Sequence, residues 1–574
     1  MRRCLAAVAP LLLGIHTLAG NNASLPETRV LSMDGDVLTV QEPPTTAGLA
    51  EITHGGRIRG LARIDGQGSV RKVLGVAAEG CAVRPLAATA GQILALAPDD
   101  KHPAVAQLRA LLGPRLHLVS TPSQLRASLG PQTCAVVALT DPGDALDAVG
   151  RGAVVMCTLQ AYASLRGLKV RQHTMATRPG MVVTAPIGWA HGISVGHRIP
   201  WYGTRDKSRF QYSLACSSSP EGATALAVST IDASPMMVEE TLPSGARLVA
   251  LDLVSPNGRP GYDAGSKNKW HFLSRLIDPH PFYGAFVPRK LSFQDYLGRL
   301  CGLVQDHPAR VRVVQVGTGA AGDPVFSAQI GPMDRPRFVF TGVIHGGEIL
   351  GAYGLLRLLH VLLENPGNDP AIADLLERYG IEVLPLVNAW GYTHGKQVNS
   401  RDCDLNRNFN YLWDEYAGDG GWRANYSPQV LRGQAPFSEG ETAAVRDRLL
   451  DGQVAGYIDF HQHGMQHGHM LLLPHRPVQQ QREALLLLGE MMNARLAHRY
   501  LYGDDRTLQF TTSASGSARP FAENWAASRG ILACCFELPG GFEDSLVLTD
   551  VVVNEALSFM WLVDILRGQG EAGT

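Results

Sequence analysis

Cysteine is scarce in this chain: nine residues in 574, with no CxxC pair. Neither a disulfide framework nor a thiolate metal knuckle is written into it, and cysteine usage leaves the compartment open. An excess of one charge is also missing. Lys plus Arg number 51 against 52 Asp plus Glu, for a formal charge of -1. Without a global positive field, nucleic acid is excluded as a main partner. No stretch reaches 18 consecutive apolar residues, so a polytopic membrane protein is excluded and no membrane span is expected. The 62 glycines and 35 prolines stay well below the roughly 25–30% of low-complexity chains. With 45% hydrophobic and 18% charged residues, wholesale disorder is ruled out. The length exceeds one ordinary domain of roughly 100–200 residues, so two or three separate cores are expected.

What is present begins with Met1-Arg2-Arg3, a mostly apolar run from Cys4 to Ile15, and Thr17-Leu18-Ala19. This fits a basic segment, an apolar segment and a small-residue cleavage site, that is, a signal peptide over residues 1–20. It favours a periplasmic or secreted protein over a cytoplasmic one; a buried first element or a different start is the alternative. Residues 28–80 alternate short β-type runs with Gly-rich turns and predict a small β-rich lead-in. Over 90–277, strands at Ile93–Ala97, Leu116–Ser120, Ala135–Thr140, Ala153–Met156 and Arg247–Leu253 alternate in part with helical stretches, as in βαβ units on a parallel sheet. This stretch resembles, loosely, the flavodoxin-like domains of class I glutamine amidotransferases. Cys157 lacks the glycine-flanked elbow of a catalytic thiol, so this domain is expected to be non-catalytic. The Pro-rich segment 278–290 reads as a linker, and 291–567 as a second α/β domain on a mixed sheet.

In that second domain, Thr341-Gly342-Val343-Ile344-His345-Gly346-Gly347-Glu348 ends an apolar strand at a histidine and opens a helix at a glutamate. An imidazole and a carboxylate three positions apart, at the carboxyl end of a strand, can converge on one Zn²⁺. An exposed histidine and a helix-start glutamate favoured by the macrodipole is the alternative reading of HxxE alone. Further along stand Asn388-Ala389-Trp390-Gly391, Asn399-Ser400-Arg401-Asp402-Cys403-Asp404-Leu405-Asn406-Arg407, Pro436-Phe437-Ser438-Glu439, Ile458-Asp459-Phe460-His461 and Cys534-Cys535-Phe536-Glu537.

This ordered set, over about 290–565, resembles the zinc carboxypeptidase family, including its succinylglutamate desuccinylase and aspartoacylase relatives. The resemblance implies one Zn²⁺ per chain held by His345, Glu348 and His461, with His463 an alternative third ligand because i and i+2 on a strand share a side. It implies that Glu537 is the general base, moving a proton from the attacking water to the leaving amine. Asn406 and Arg407 would bind the substrate carboxylate, Asp404 would orient the first histidine and Arg401 would steady the oxyanion. A planar guanidinium suits a carboxylate because it donates two parallel N–H bonds. Other readings stay open: a strand-end surface glutamate for Glu537, exposed turn charges for Asp404 and Arg401. The family's lid tyrosine has no counterpart in Phe510–Gly516, which leaves Tyr500, Tyr502 or another loop to supply that contact. The implied substrate is a peptide or a small N-acyl amino acid. A catalytically silent binding protein on the same scaffold is the competing class.

Overall fold

The computed structural model describes residues 28–571 apart from short internal stretches, of which 253–268 is the longest. The expected signal peptide, Tyr500 and most of the Phe510–Gly516 stretch lie outside the described residues.

Six antiparallel strands between Thr28 and Pro85 close into a barrel. Alternation explains how so small a barrel attaches to the rest. Ala50, Ile52, Ala62, Ile64, Cys81 and Val83 fill its interior, while Leu49 and Leu61, on the opposite face of the same strands, join the largest core of the later α/β unit.

The next unit has a nine-stranded sheet. Five strands are parallel, in the spatial order Leu116–Val119, Gln92–Leu96, Thr133–Ala138, Val154–Thr158, Arg247–Leu251, which in order of appearance is 2-1-3-4-5, a doubly wound arrangement. These strands read as near-continuous apolar runs because both faces are covered: Ile93 and Ala95 enter one core, Leu94 and Leu96 the other. Four antiparallel strands extend the sheet: Pro235–Thr241, Thr224–Ser229, Gly180–Val183 and Arg198–Pro200. The sequence pattern left them unassigned, and bulges interrupt the pairing of Thr224–Ser229 with Pro235–Thr241.

Part of the stretch read as a linker is strapped down. The backbone N–H groups of Tyr283, Ala285 and Val287 donate to Asp550 Oδ1 (2.7 Å), Thr549 Oγ1 (2.8 Å) and Ser545 Oγ (2.9 Å) of the closing helix.

The last unit has a mixed sheet, as expected, of eight strands. Its middle consists of Gly380–Leu384, Arg337–Gly342, Val454–His463 and Ala533–Pro539, all parallel. Val311–Thr318 and Pro324–Ile330 flank one side, and Met470–Leu472 with Thr511–Thr512 the other. The helix read from Glu348 starts at Leu350, and the closing helix is longer than its pattern implied, Ser545–Glu571. These two helices meet where Gly354 abuts Val552: a Cβ there would stand 2.4 Å from the valine, so the crossing requires glycine. The carboxyl ends of the parallel strands form the edge where an α/β sheet places a site.

Candidate metal centre

His345 follows the Arg337–Gly342 strand, where the chain turns sharply. Val343 adopts φ +58°, a strained conformation for a β-branched residue. Gly346 passes so close to Gly391 that a Cβ would come within 2.1 Å of its carbonyl carbon. The turn carries Glu348 back beneath His345, and the backbone N–H of Gln462 donates to Glu348 Oε2 at 3.0 Å. His461 lies near the end of the adjacent strand. Parallel register sets it opposite Glu537, so both side chains project from the same face of the sheet.

The ligating atoms of His345, Glu348 and His461 lie within 4.8 Å of one another, and among the described residues this is the one such group. His345 Nδ1 is 2.8 Å from Glu348 Oε1, His461 Nδ1 is 2.9 Å from Glu348 Oε2, and the two Nδ1 atoms are 3.2 Å apart. Each imidazole turns its other nitrogen to a buried carboxylate: His345 Nε2 to Asp404 Oδ1 (3.0 Å) and His461 Nε2 to Asp459 Oδ2 (2.8 Å). His463, two residues on and roughly 6–7 Å further along the strand, is not a member of this donor set.

The electrostatics call for a cation. Burial draws the His345 imidazolium down, but Glu348 and Asp404 outweigh it and lift it to about 9. Burial acts the same way on His461, and Asp459 with Glu348 raises it well above the ordinary histidine value. Burial pushes the Glu348 carboxyl up, yet the two imidazoles hold it well below the usual range. A centre this rich in carboxylate that favours protons on both histidines also suits a metal ion in their place. The donor set, two imidazoles and one carboxylate with carboxylates behind the rings, is that of a Zn²⁺ centre with an open position.

Glu537 stands beside this cluster. Burial first and the charge of Glu348 second push its carboxyl up to about 7, against the pull of the two histidines. Its Oε2 is buried without a hydrogen-bond partner. Asn406 and Arg407 are buried close to Asp404. Asn406 Oδ1 accepts from the Ala522 N–H (2.9 Å), and its Nδ2 lies 3.4 Å from His461 Nε2. The Arg407 guanidinium packs over Phe521, 4.7 Å from the ring centre, and lies 3.9 Å from Asp404. Arg401 is 60% exposed and its Nη1 is 3.6 Å from Glu439.

Two carboxylates at the centre escaped the sequence reading. Asp459 is two residues before His461 on the same strand face, a spacing that could have marked it. Glu523, near the start of the Ala522–Ser528 helix, is buried, and burial followed by the charge of Asp459 pushes it up to about 7; no sequence signal announces it.

Fold and geometry together give a mixed α/β domain with a buried group of two histidines and one glutamate whose ligating atoms could hold a metal ion. Residues 299–556 match the model of the zinc carboxypeptidase family. Mast cell carboxypeptidase A of Rattus norvegicus is 27% identical over 252 residues, covering 40% of this chain and 58% of the relative. Carboxypeptidase B of Astacus astacus is 26% identical over 194 residues, covering 30% of this chain and 61% of the relative. The chain therefore spans about three fifths of the length of these curated relatives. The solved carboxypeptidase A of Helicoverpa armigera matches over 48% of this chain and 72% of that one, at 19% identity and a TM-score of 0.39.

Among the described residues, no helix is long and apolar enough to cross a membrane.

Proposed function

We propose that residues 291–567 form a zinc-dependent metallocarboxypeptidase that hydrolyses an amide bond next to a free carboxylate. The observation that carries this is the convergence of His345, Glu348 and His461, with the Glu537 carboxyl, one oxygen unpartnered, projecting from the same sheet face. When bound, Zn²⁺ polarises the scissile carbonyl and lowers the pKa of a coordinated water to about 7. Glu537 takes the proton from the attacking water and delivers it to the leaving amine, a task suited to a carboxyl poised near neutrality. Arg407 and Asn406 hold the substrate carboxylate, Asp404 keeps His345 turned to the metal, and Arg401 steadies the oxyanion after leaving Glu439. The substrate is a peptide C-terminus; a small N-acyl amino acid is the alternative within the same chemistry. A peptide ladder assayed beside N-acyl amino acids separates the two. Turnover of neither substrate by zinc-loaded protein sinks the hydrolase reading in favour of a binding protein.

The remaining chain supports this unit. We infer that residues 90–277 are a flavodoxin-like, amidotransferase-like scaffold without catalysis of its own. The 2-1-3-4-5 strand order supports the first part of that reading. The second rests on Cys157, which is wholly buried beside Thr158, the cap of the following helix, and whose thiol burial pushes up to about 12. The basic-apolar start of the chain supports export to the periplasm or beyond, which N-terminal sequencing of mature protein tests.

A further inference from the structure

The two imidazoles are held from behind in different ways. His345 meets Asp404, whose Oδ1 also accepts the backbone N–H of Asn406 at 3.0 Å. His461 meets Asp459, whose other oxygen, Oδ1, accepts from Thr341 Oγ1 at 2.7 Å; Thr341 Oγ1 in turn lies 2.7 Å from the Tyr457 hydroxyl. Thr341, Tyr457 and Asp459 are fully buried. The register that pairs Thr341 with Asp459 across the two strands puts the hydroxyl beside the carboxylate, and Tyr457 is two residues earlier on the same face.

Counting protons gives this chain a direction. An ionised carboxylate only accepts, so Thr341 spends its single proton on Asp459, and the Tyr457 hydroxyl must donate to Thr341. At the other end Asp459 Oδ2 accepts, so the proton of a neutral His461 resides on Nε2. That leaves the Nδ1 lone pair turned toward Glu348 and His345, 2.9 Å and 3.2 Å away, where a cation would sit.

We propose that Tyr457, Thr341 and Asp459 are positioning residues: a one-way hydroxyl relay that locks His461 in the tautomer able to bind metal through Nδ1. The inference rests on the zinc reading above. Asp459→Asn tests it sharply. The amide has nearly the shape of the carboxylate but can present an N–H to His461 Nε2, which drives the ring proton onto Nδ1 and closes the donor. A role in packing alone predicts that Asn, which preserves volume, is milder than Ala; the relay predicts the reverse.

The measurement is zinc affinity of the full chain by competition with a chromophoric chelator, together with the visible spectrum of the Co²⁺ form and the thermal midpoint of the metal-free form. Asp459→Asn is expected to weaken zinc about 100-fold and Asp459→Ala about 10-fold, within the range for residues that orient metal ligands. Thr341→Val is expected to weaken it about 10-fold and Thr341→Ser to restore it, with the metal-free midpoint unmoved. Asp459→Ala as weak as or weaker than Asp459→Asn overturns the relay, and so does Thr341→Ser as weak as Thr341→Val. The threonine pair decides the matter alone where an Asp459 variant does not fold. Unaltered protein that takes up no zinc overturns the metal reading itself; one equivalent bound equally by all variants overturns only the relay.

Discussion

Both α/β units bring a reactive side chain to the carboxyl end of a buried parallel strand, and the results are opposite. In the first, Cys157 meets burial with Glu240 and Asp141 charges nearby, and its thiol is held protonated, near 12. In the last, His345 and His461 are as deeply buried, but each is flanked by carboxylates that outweigh the desolvation. Burial alone silences a titratable group. Burial combined with partners of opposite charge builds a centre suited to a cation. Placement at a strand end is therefore insufficient, and the surrounding charges separate a site from a core residue.

That contrast can be broken at several points. Glu537→Gln, with zinc retained, should lower turnover about 10²–10⁴-fold, the usual weight of a positioned general base; near-normal turnover in a zinc-loaded variant sinks its role. Arg401→Ala should lower kcat about 10²-fold with zinc affinity unchanged, if it releases Glu439 to meet the oxyanion. A change under about threefold assigns that task to another donor.

The pH profile probes the same carboxyl. Because the Glu537 pKa is raised, to about 7, the protein holds its proton at acid pH, and a base must lose that proton. kcat/KM should therefore rise with pH to a plateau, with a midpoint at or below about 7, since a bound cation favours the carboxylate. The limb should vanish in Glu537→Gln; its survival there points to another base. In the first unit, Cys157→Ser and thiol-blocking reagents should leave turnover within about twofold, as a thiol held near 12 has almost no thiolate at neutral pH. Inactivation traced to Cys157 would make the two units partners in chemistry.

Much of the last unit was legible. The mixed α/β character expected of this part of the chain is what the structure shows. The HxxE turn, the Asp404 to Arg407 segment and the two strand-end residues His461 and Glu537 stood out because together, in order, they resemble the motifs of a known family. The four antiparallel strands of the nine-stranded sheet were not assigned from the sequence; bulges interrupt the pairing of two of them, Thr224–Ser229 and Pro235–Thr241. The placement of Arg401 was also hidden: its pairing with the buried Glu439 depends on how two segments distant in sequence meet.

Residue order and local periodicity indicated many of the element types, and the resemblance to a known family, carried by short ordered motifs, supplied the expected ligand residues and candidate base. The resemblance pointed to Asp404 behind His345, but the carboxylate behind His461 and the hydroxyls behind that carboxylate did not follow from either. His345 finds Asp404 59 positions away, and Asp459 finds Thr341 118 positions away. Such pairings arise from strand register and helix packing across the sheet, and they set tautomer, charge and metal affinity together, because in a water-poor interior a hydrogen-bond partner at 2.7 Å outweighs anything its sequence neighbours can supply.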